Sequence, residues 1–360
     1  VKITDQESIP VPHGRQHTAA AFSAEEKARI RLEGGLLTME LELSRRCDLR
    51  CIYCYSEAGT APDHELSFEE IADAAGQAVA LGARRVIVLG GGEPLLYPRL
   101  LEVISLIRVQ GAAVELFTNG VTLTVDTARA FRSLNVSLVV KMNSLREHVQ
   151  DALAGRAGTF KAIRSALEML GEAGYPGPDA PLGAQTVVCR QNLDELPEMW
   201  IWLRDRGITP YFETLTLQGR ARQHPELEVE SADIQALFQN LSRIDRERYG
   251  YTWEPRLPVA GYCCDRHEYS CTVTSTGNVQ PCPGIDLTVG NIRETPLGEI
   301  LRKSPVIADL RHIRQRIRGT CADCAEKDAC YGCRGMAWQV SGDYLASDPL
   351  CPRCAGSPEA

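Results

Sequence analysis

The sequence predicts an α/β fold, a parallel sheet of βα units followed by a small cysteine-rich C-terminal domain. Three observations predict it. Short β-branched runs alternate with amphipathic stretches through the first two thirds of the chain. Apolar residues make up 44% of the 360 positions, enough for a sizeable core. The 14 cysteines are unevenly spread: none in 1–46, three in 47–54, Cys189 alone in 55–262 and ten in 263–354.

The runs expected as strands are, in order, Leu37–Leu43, Arg85–Leu89, Ala113–Thr118, Val136–Met142, Ala184–Cys189 and Thr209–Leu215. Helices are expected between them at about 66–81, 97–110, 124–133, 158–173 and 193–206. Successive βα units imply parallel strands, because parallel neighbours need a crossover, and the pattern suits a partial barrel or an open doubly wound sheet. Residues 174–183, rich in Pro and Gly, read as a loop before the fifth strand. A helix is expected over 231–248, opening at Ser231 with Asp233 in its first turn, where a negative charge suits the helix dipole. Tyr249, Gly250, Pro255 and Pro258 mark a connector. The expected division is an N-terminal extension (1–36), a core (37–220), a connecting helix and linker (221–260) and the cysteine-rich domain (261–360).

A formal charge of −8 argues against nucleic acid or an anionic membrane as partner. The one strongly basic run, Arg311 to Arg318, reads as a solvated helix face. No stretch approaches the ~18 consecutive apolar residues of a membrane span, and residues 1–36 lack the apolar centre of a signal peptide. A cytoplasmic protein is expected. Because the cytosol keeps thiols reduced, its cysteines point to metal ligation rather than disulfides.

Cys47, Cys51 and Cys54 are spaced Cys-x3-Cys-x2-Cys directly after the first strand, at the C-terminal edge where parallel βα folds place their chemistry. Three thiolates on one loop leave a four-iron cluster with one iron lacking a protein ligand, open to a substrate. Structural zinc sites complete four protein ligands and suit this spacing poorly. The second strand ends in Gly90-Gly91-Gly92-Glu93-Pro94, where glycines let backbone approach a ligand and a carboxylate can receive an ammonium group.

These motifs resemble the radical S-adenosylmethionine (SAM) family, including the aromatic Tyr53 just before the last cysteine. The resemblance implies a partial (β/α)6 TIM-like barrel as the radical SAM core, with Cys47, Cys51 and Cys54 holding a [4Fe-4S] cluster. It implies that Gly91, Gly92 and Glu93 bind the SAM amino group, and that Thr118, Asn119, Asn143 and Ser144 line the SAM pocket. Capping and turn formation are the alternative reading of those last four. The family chemistry is reductive cleavage of SAM to a 5'-deoxyadenosyl radical that abstracts hydrogen from a substrate C–H bond, with electrons from a flavodoxin- or ferredoxin-type donor.

The later cysteines, with Gly277-x4-Cys282 and Cys321-x2-Cys324-x5-Cys330-x2-Cys333, are similar to the SPASM extension of that family, which carries two auxiliary [4Fe-4S] clusters. Three clusters in all are therefore implied. The inner auxiliary cluster would use Cys264, Cys282 and Cys333, with Cys271 as fourth ligand. The outer one would use Cys321, Cys324, Cys330 and Cys351. The two-residue gap before Cys333 departs from the family's usual three, and the doublet Cys263-Cys264 leaves the first ligand open to either. Paired Cys-x2-Cys motifs also suit a zinc ribbon, and a non-catalytic iron–sulfur or zinc scaffold is the alternative class. Cys189 reads as an ordinary buried cysteine.

Two auxiliary clusters suggest oxidation, the substrate radical losing a second electron to the nearer cluster and a proton to a base. Glu213, at the end of the sixth strand, is the candidate base, with His267 and Asp265 beside the first auxiliary ligand as further candidates. Cys263 and Cys354 are candidate hydrogen donors for the redox-neutral alternative, epimerisation. The first expectation for substrate is a small metabolite, such as a secondary alcohol of an aminocyclitol or sugar. Maturation of a ribosomally made peptide is the second, and porphyrin side-chain oxidation stands further off.

Overall fold

The computed structural model describes residues 22–353. All six expected strands form: β1 (Thr38–Ser44), β2 (Arg85–Gly91), β3 (Ala113–Thr118), β4 (Ser137–Lys141), β5 (Leu182–Val188) and β6 (Thr209–Thr214). They pair in chain order, all parallel. Three further strands, β7 (Ser270–Val273), β8 (Asn278–Gln280) and β9 (Gly290–Asn291), continue the same sheet in the order β6-β5-β4-β3-β2-β1-β7-β8-β9. The barrel is therefore partial and open, with β6 and β9 as its edges. The cysteine-rich region does not stand on a sheet of its own: β7 lies parallel to β1, and β8 and β9 follow antiparallel.

Helices cover the sheet's outer face. The first is α1 (Ala24–Glu33), with a Ser23–Glu26 capping box and a left-handed Gly34 at its end. Then come α2 (Phe68–Ala80), α3 (Leu100–Val109), α4 (Val125–Ser133), α5 (Glu147–Ala154), α6 (Thr159–Glu172), α7 (Leu196–Arg204) and α8 (Ser231–Ile244). Ser67 and Glu70 box the start of α2, which buries Ile71, Ala74, Ala75 and Ala78. The expected helix over 231–248 stops at Ile244, and Asp245–Tyr249 winds as a single π turn. There the fully buried Asp245 accepts hydrogen bonds from Trp200, Trp253 and Arg204, fixing the connector to α7.

The C-terminal region adds α9 (Leu297–Lys303), α10 (Pro305–Arg311), α11 (Ile313–Arg316) and α12 (Arg334–Ser341). The basic run at 311–318 is only partly a solvated face. Arg311 is buried and donates to the Gly35 carbonyl at 2.5 Å, and Arg314 pairs with Glu268. Arg311 thus joins the C-terminal helices to the start of the core, and Arg314 joins them to the turn that precedes β7.

β1 shows why the two faces of the sheet differ. Met39, Leu41 and Leu43 alternate with Glu40 and Glu42, and all five are buried. Successive side chains of a strand point to opposite faces, so the apolar set joins the core while Glu40 faces the cavity. Glu40 accepts from Arg266 and from Thr272, each at 2.7 Å, and Glu42 accepts from the Tyr55 hydroxyl at 2.9 Å. A polar inner surface is thus built into the strands.

Candidate active site

One cavity of about 320 Å³ opens on that inner surface. Cys47, Cys51 and Cys54 line it, as do Cys264, Cys282 and Cys333. The first three sit on a loop tied down by main-chain hydrogen bonds. Cys47 N–H donates to Gly59, Arg50 N–H to Ala154, and Ile52 N–H to Leu153. The Arg220 guanidinium donates to the Cys51 and Ala58 carbonyls at 2.9 and 3.1 Å, and its N–H to the Cys54 carbonyl. Two glycines allow this closeness. A Cβ on Gly92 would overlap the Arg46 carbonyl, and one on Gly219 (φ +57) would overlap the Cys54 and Tyr55 carbonyls. Burial pushes the Cys47 thiol up to about 12, and its neighbours Glu93 and Cys51 add to that. Metal charge reverses this cost, because a coordinated thiol is deprotonated outright.

Glu93 is buried beside the loop. Its carboxylate accepts from the Thr118 hydroxyl (2.6 Å), Asn119 N–H (2.7 Å) and Leu95 N–H (3.0 Å). Burial nevertheless pushes it up to about 7. Thr118 and Asn119 line the cavity and also brace Glu93, a role the sequence did not disclose. Tyr53 lines the cavity with Lys141 over its ring, 5.0 Å from the centroid.

Asn143 and Ser144 stand elsewhere than the sequence placed them. Both are fully buried behind the cavity wall rather than lining it. Asn143 donates to the Tyr53 hydroxyl (2.6 Å) and accepts from Val187 N–H (2.9 Å). Ser144 donates to Glu195 (2.5 Å). Their hydrogen bonds are spent fixing Tyr53, β5 and the start of α7.

The ten C-terminal cysteines divide by position. Cys264, Cys282 and Cys333 face the cavity together, close enough that each thiolate would repel the others. Cys271 does not join them. It sits in β7 opposite Met39 of β1, and registered parallel neighbours share a face, so its thiol is buried in the apolar core. Its neighbour Thr272, paired with Glu40, takes the cavity side. Cys321, Cys330 and Cys351 come together with Asp348 behind, and Arg353 reaches the Cys324 sulfur at 3.6 Å. Cys263 is exposed and donates to the Ala329 carbonyl at 3.0 Å, outside the cavity lining. Cys354 lies outside the described residues. Cys189 is buried in a small apolar cluster with Leu153 and Leu215.

Glu213 lines the cavity and accepts from Gln185 at 2.5 Å. Burial raises it, and Lys141 and Arg266 pull the other way. Sequence reading missed Lys141, Arg266 and Arg334, all cavity-lining, and offered the cavity-lining His267 only as a candidate base. The alternation of β4 could have flagged Lys141, a charge inside the buried strand Ser137–Lys141.

Residues 41–199 match the profile of the radical SAM superfamily, and residues 263–325 match that of SPASM, an iron–sulfur cluster-binding domain. The chain belongs to the radical SAM superfamily, in the branch that carries a SPASM domain. Among its relatives is the PqqA peptide cyclase of Streptomyces rochei, 31% identical over 334 residues, covering 87% of this chain and 88% of that protein. The AdoMet-dependent heme synthase of Methanosarcina barkeri is 27% identical over 337 residues, covering 86% of this chain and 94% of that protein. The fold matches the crystal structure of Streptococcus suis SuiB bound to S-adenosylmethionine with a TM-score of 0.70 at 17% identity, over 90% of this chain and 80% of that one. The cofactors are accordingly SAM, a [4Fe-4S] cluster in the core and auxiliary iron–sulfur clusters in the SPASM region. The residues fit them: a three-thiol loop leaves an iron free, a braced carboxylate stands beside it, and a second set of thiols faces the same space. Among the described residues no helix is long and apolar enough to cross a membrane.

Proposed function

We propose that this enzyme oxidises or crosslinks a side chain of a ribosomally made peptide. The observation that carries the oxidative chemistry is the shared cavity, with Cys47, Cys51 and Cys54 at one end and Cys264, Cys282 and Cys333 at the other. A substrate held between them touches both redox ends. The peptide class rests on the 31% identity to a peptide cyclase across most of both chains, which favours this substrate over the small metabolite first expected.

In this reading Cys47, Cys51 and Cys54 hold the SAM-binding cluster. Cys264, Cys282 and Cys333 hold the inner auxiliary cluster, and Cys321, Cys324, Cys330 and Cys351 the outer one. SAM and the clusters supply one-electron hydrogen abstraction and an acceptor for the second electron. Glu93 receives the ammonium group of SAM while Thr118 and Asn119 keep its carboxylate in place. Gly91 and Gly92 let the main chain close on the ligand. Glu213, raised by burial and oriented by Gln185, accepts the substrate proton. Every cavity-lining thiol among the described residues belongs to one of the two sets above, which favours oxidation over epimerisation by a spare cysteine.

Porphyrin side-chain oxidation is the second reading, favoured by the match to 94% of a heme synthase. Anaerobically reconstituted enzyme, SAM and reductant, offered a candidate precursor peptide or a propionate-bearing porphyrin, would separate them by mass spectrometry. Loss of two hydrogens from the peptide, with 5'-deoxyadenosine formed in step, is expected. Turnover of the porphyrin alone would overturn the peptide reading.

A further inference from the structure

Cys264, Cys282 and Cys333 bring three thiols to the inner end of the cavity, and a four-iron cluster has four irons to ligate. The sequence offered Cys271 as the fourth ligand, but its strand register turns that thiol into the apolar core. Cys263 is directed outward, onto the Ala329 carbonyl. The fourth position therefore has to be filled from other residues at that end of the cavity, or by none.

Apart from the three thiols, the cavity-lining side chains with polar atoms in this part of the site are Glu40, Tyr211, Arg266, His267 and Arg334. Glu40 is already bonded to Arg266 and Thr272, and burial holds the proton on the Tyr211 phenol. The two guanidinium groups have no lone pair to give. Arg266 is also committed to Glu40 at 2.7 Å. His267 is different. It is 5% exposed, and its Nδ1 is buried with no hydrogen-bond partner, a costly state for an imidazole nitrogen unless something absent from the protein chain satisfies it. It sits three residues after Cys264, on the short 3-10 turn Arg266–Glu268 that leads into β7. The Tyr331 ring packs against it at 5.8 Å between centroids, restricting the imidazole's rotation. Tyr331 has an unpartnered hydroxyl of its own, but it does not line the cavity.

We propose that His267 supplies the fourth ligand of the inner auxiliary cluster through an imidazole nitrogen, giving a three-cysteine, one-histidine site. The other ring nitrogen keeps the proton, and the ligand is neutral. Histidine in place of a thiolate removes one negative charge from the site and raises its reduction potential, which suits an acceptor of substrate electrons. The inference rests on the reading that Cys264, Cys282 and Cys333 hold a cluster, and goes beyond it.

The test uses the full chain, anaerobically reconstituted, with Cys47, Cys51 and Cys54 changed to Ala so that only auxiliary iron remains. Pulsed electron paramagnetic resonance of the reduced protein, prepared with natural and 15N-labelled histidine, should show a directly bound histidine nitrogen. His267→Cys should keep the iron content, lose that nitrogen coupling and lower the midpoint potential of one cluster. His267→Ala should lose the coupling and regain a nitrogen signal with added imidazole. Intact auxiliary iron with no histidine coupling, or His267 variants with unchanged spectra and potential, would overturn the ligand. Absence of auxiliary iron from the parent background would instead overturn the cluster reading, and the ligand with it.

Discussion

The two cysteine regions gather their thiols in opposite ways. The core places Cys47, Cys51 and Cys54 within eight residues, on a loop held by main-chain hydrogen bonds from β1's end, α5 and the turn at Gly219. The C-terminal region collects Cys264, Cys282 and Cys333 across 70 positions, and which thiols meet depends on the face each element presents. Local spacing decides membership in the first group, and strand register decides it in the second. The comparison with Cys271, close in sequence and on the wrong face, shows how little spacing says there.

The largest effect should come from splitting the two regions. Cys51→Ala is expected to lose about four irons per chain and to abolish 5'-deoxyadenosine formation. Cys282→Ala should still cleave SAM but yield no oxidised substrate. Iron analysis with chromatography of both products checks this, and a Cys282 variant unable to cleave SAM would break the division of labour.

A smaller effect is expected from the glycines. Gly92→Ala drives a Cβ into the Arg46 carbonyl, backbone against backbone, so the loop must move and SAM cleavage should fall about 10²-fold. Gly284→Ala, at the other end, comes no nearer than 3.1 Å to Gly335 Cα and 3.8 Å to Cys282 Sγ and should be milder. Rates of SAM cleavage in the two variants rank the rigidity that each region needs.

Acidification should affect only the core. Burial holds Glu93 near 7, and its carboxylate must be ionised to receive an ammonium. Its charged fraction drops roughly tenfold from pH 8 to pH 6, so the Kd for SAM should rise by about that factor on the acid side. Titration of the reconstituted enzyme by calorimetry measures it. A Glu93→Gln variant whose SAM affinity keeps the same pH dependence would remove Glu93 as the cause.

The smallest effect is the sharpest for register. Cys271→Ala should keep the full iron content and cost only about 1 kcal/mol of stability, as for a trimmed core side chain. Metal analysis and a denaturant midpoint suffice. Loss of a cluster's worth of iron would return Cys271 to the ligand set.

Much of the fold was legible because its signals are local. The β-branched runs marked all six core strands, and the amphipathic pattern at 66–81 marked α2. α5 went unseen because its start at Arg146 has no side-chain cap. The short strands β7 to β9 went unseen because β7 pairs with β1 some 230 residues away and β8 and β9 are built on β7. In the site, the cysteine loop and Glu93 could be read from spacing. Asn143 and Ser144 were misplaced because one strand end can face a ligand or a neighbouring loop, and only tertiary hydrogen bonding decides. His267 could be read only as a candidate base beside Cys264, since its lack of a partner exists only in the folded chain.

Because β7 runs parallel to β1, Cys47 follows the far end of one strand while Cys264 precedes the start of its neighbour, and the two thiol sets belong to opposite ends of one sheet. Their separation is a matter of strand length, not of how a linker bends. In the proposed oxidation, the substrate's second electron would cross that fixed gap, and lengthening the connector around residues 245–260 would leave the distance unchanged. Any motion that admits a bulky substrate must therefore come from the loops at the rim, while the ruler beneath them stays rigid.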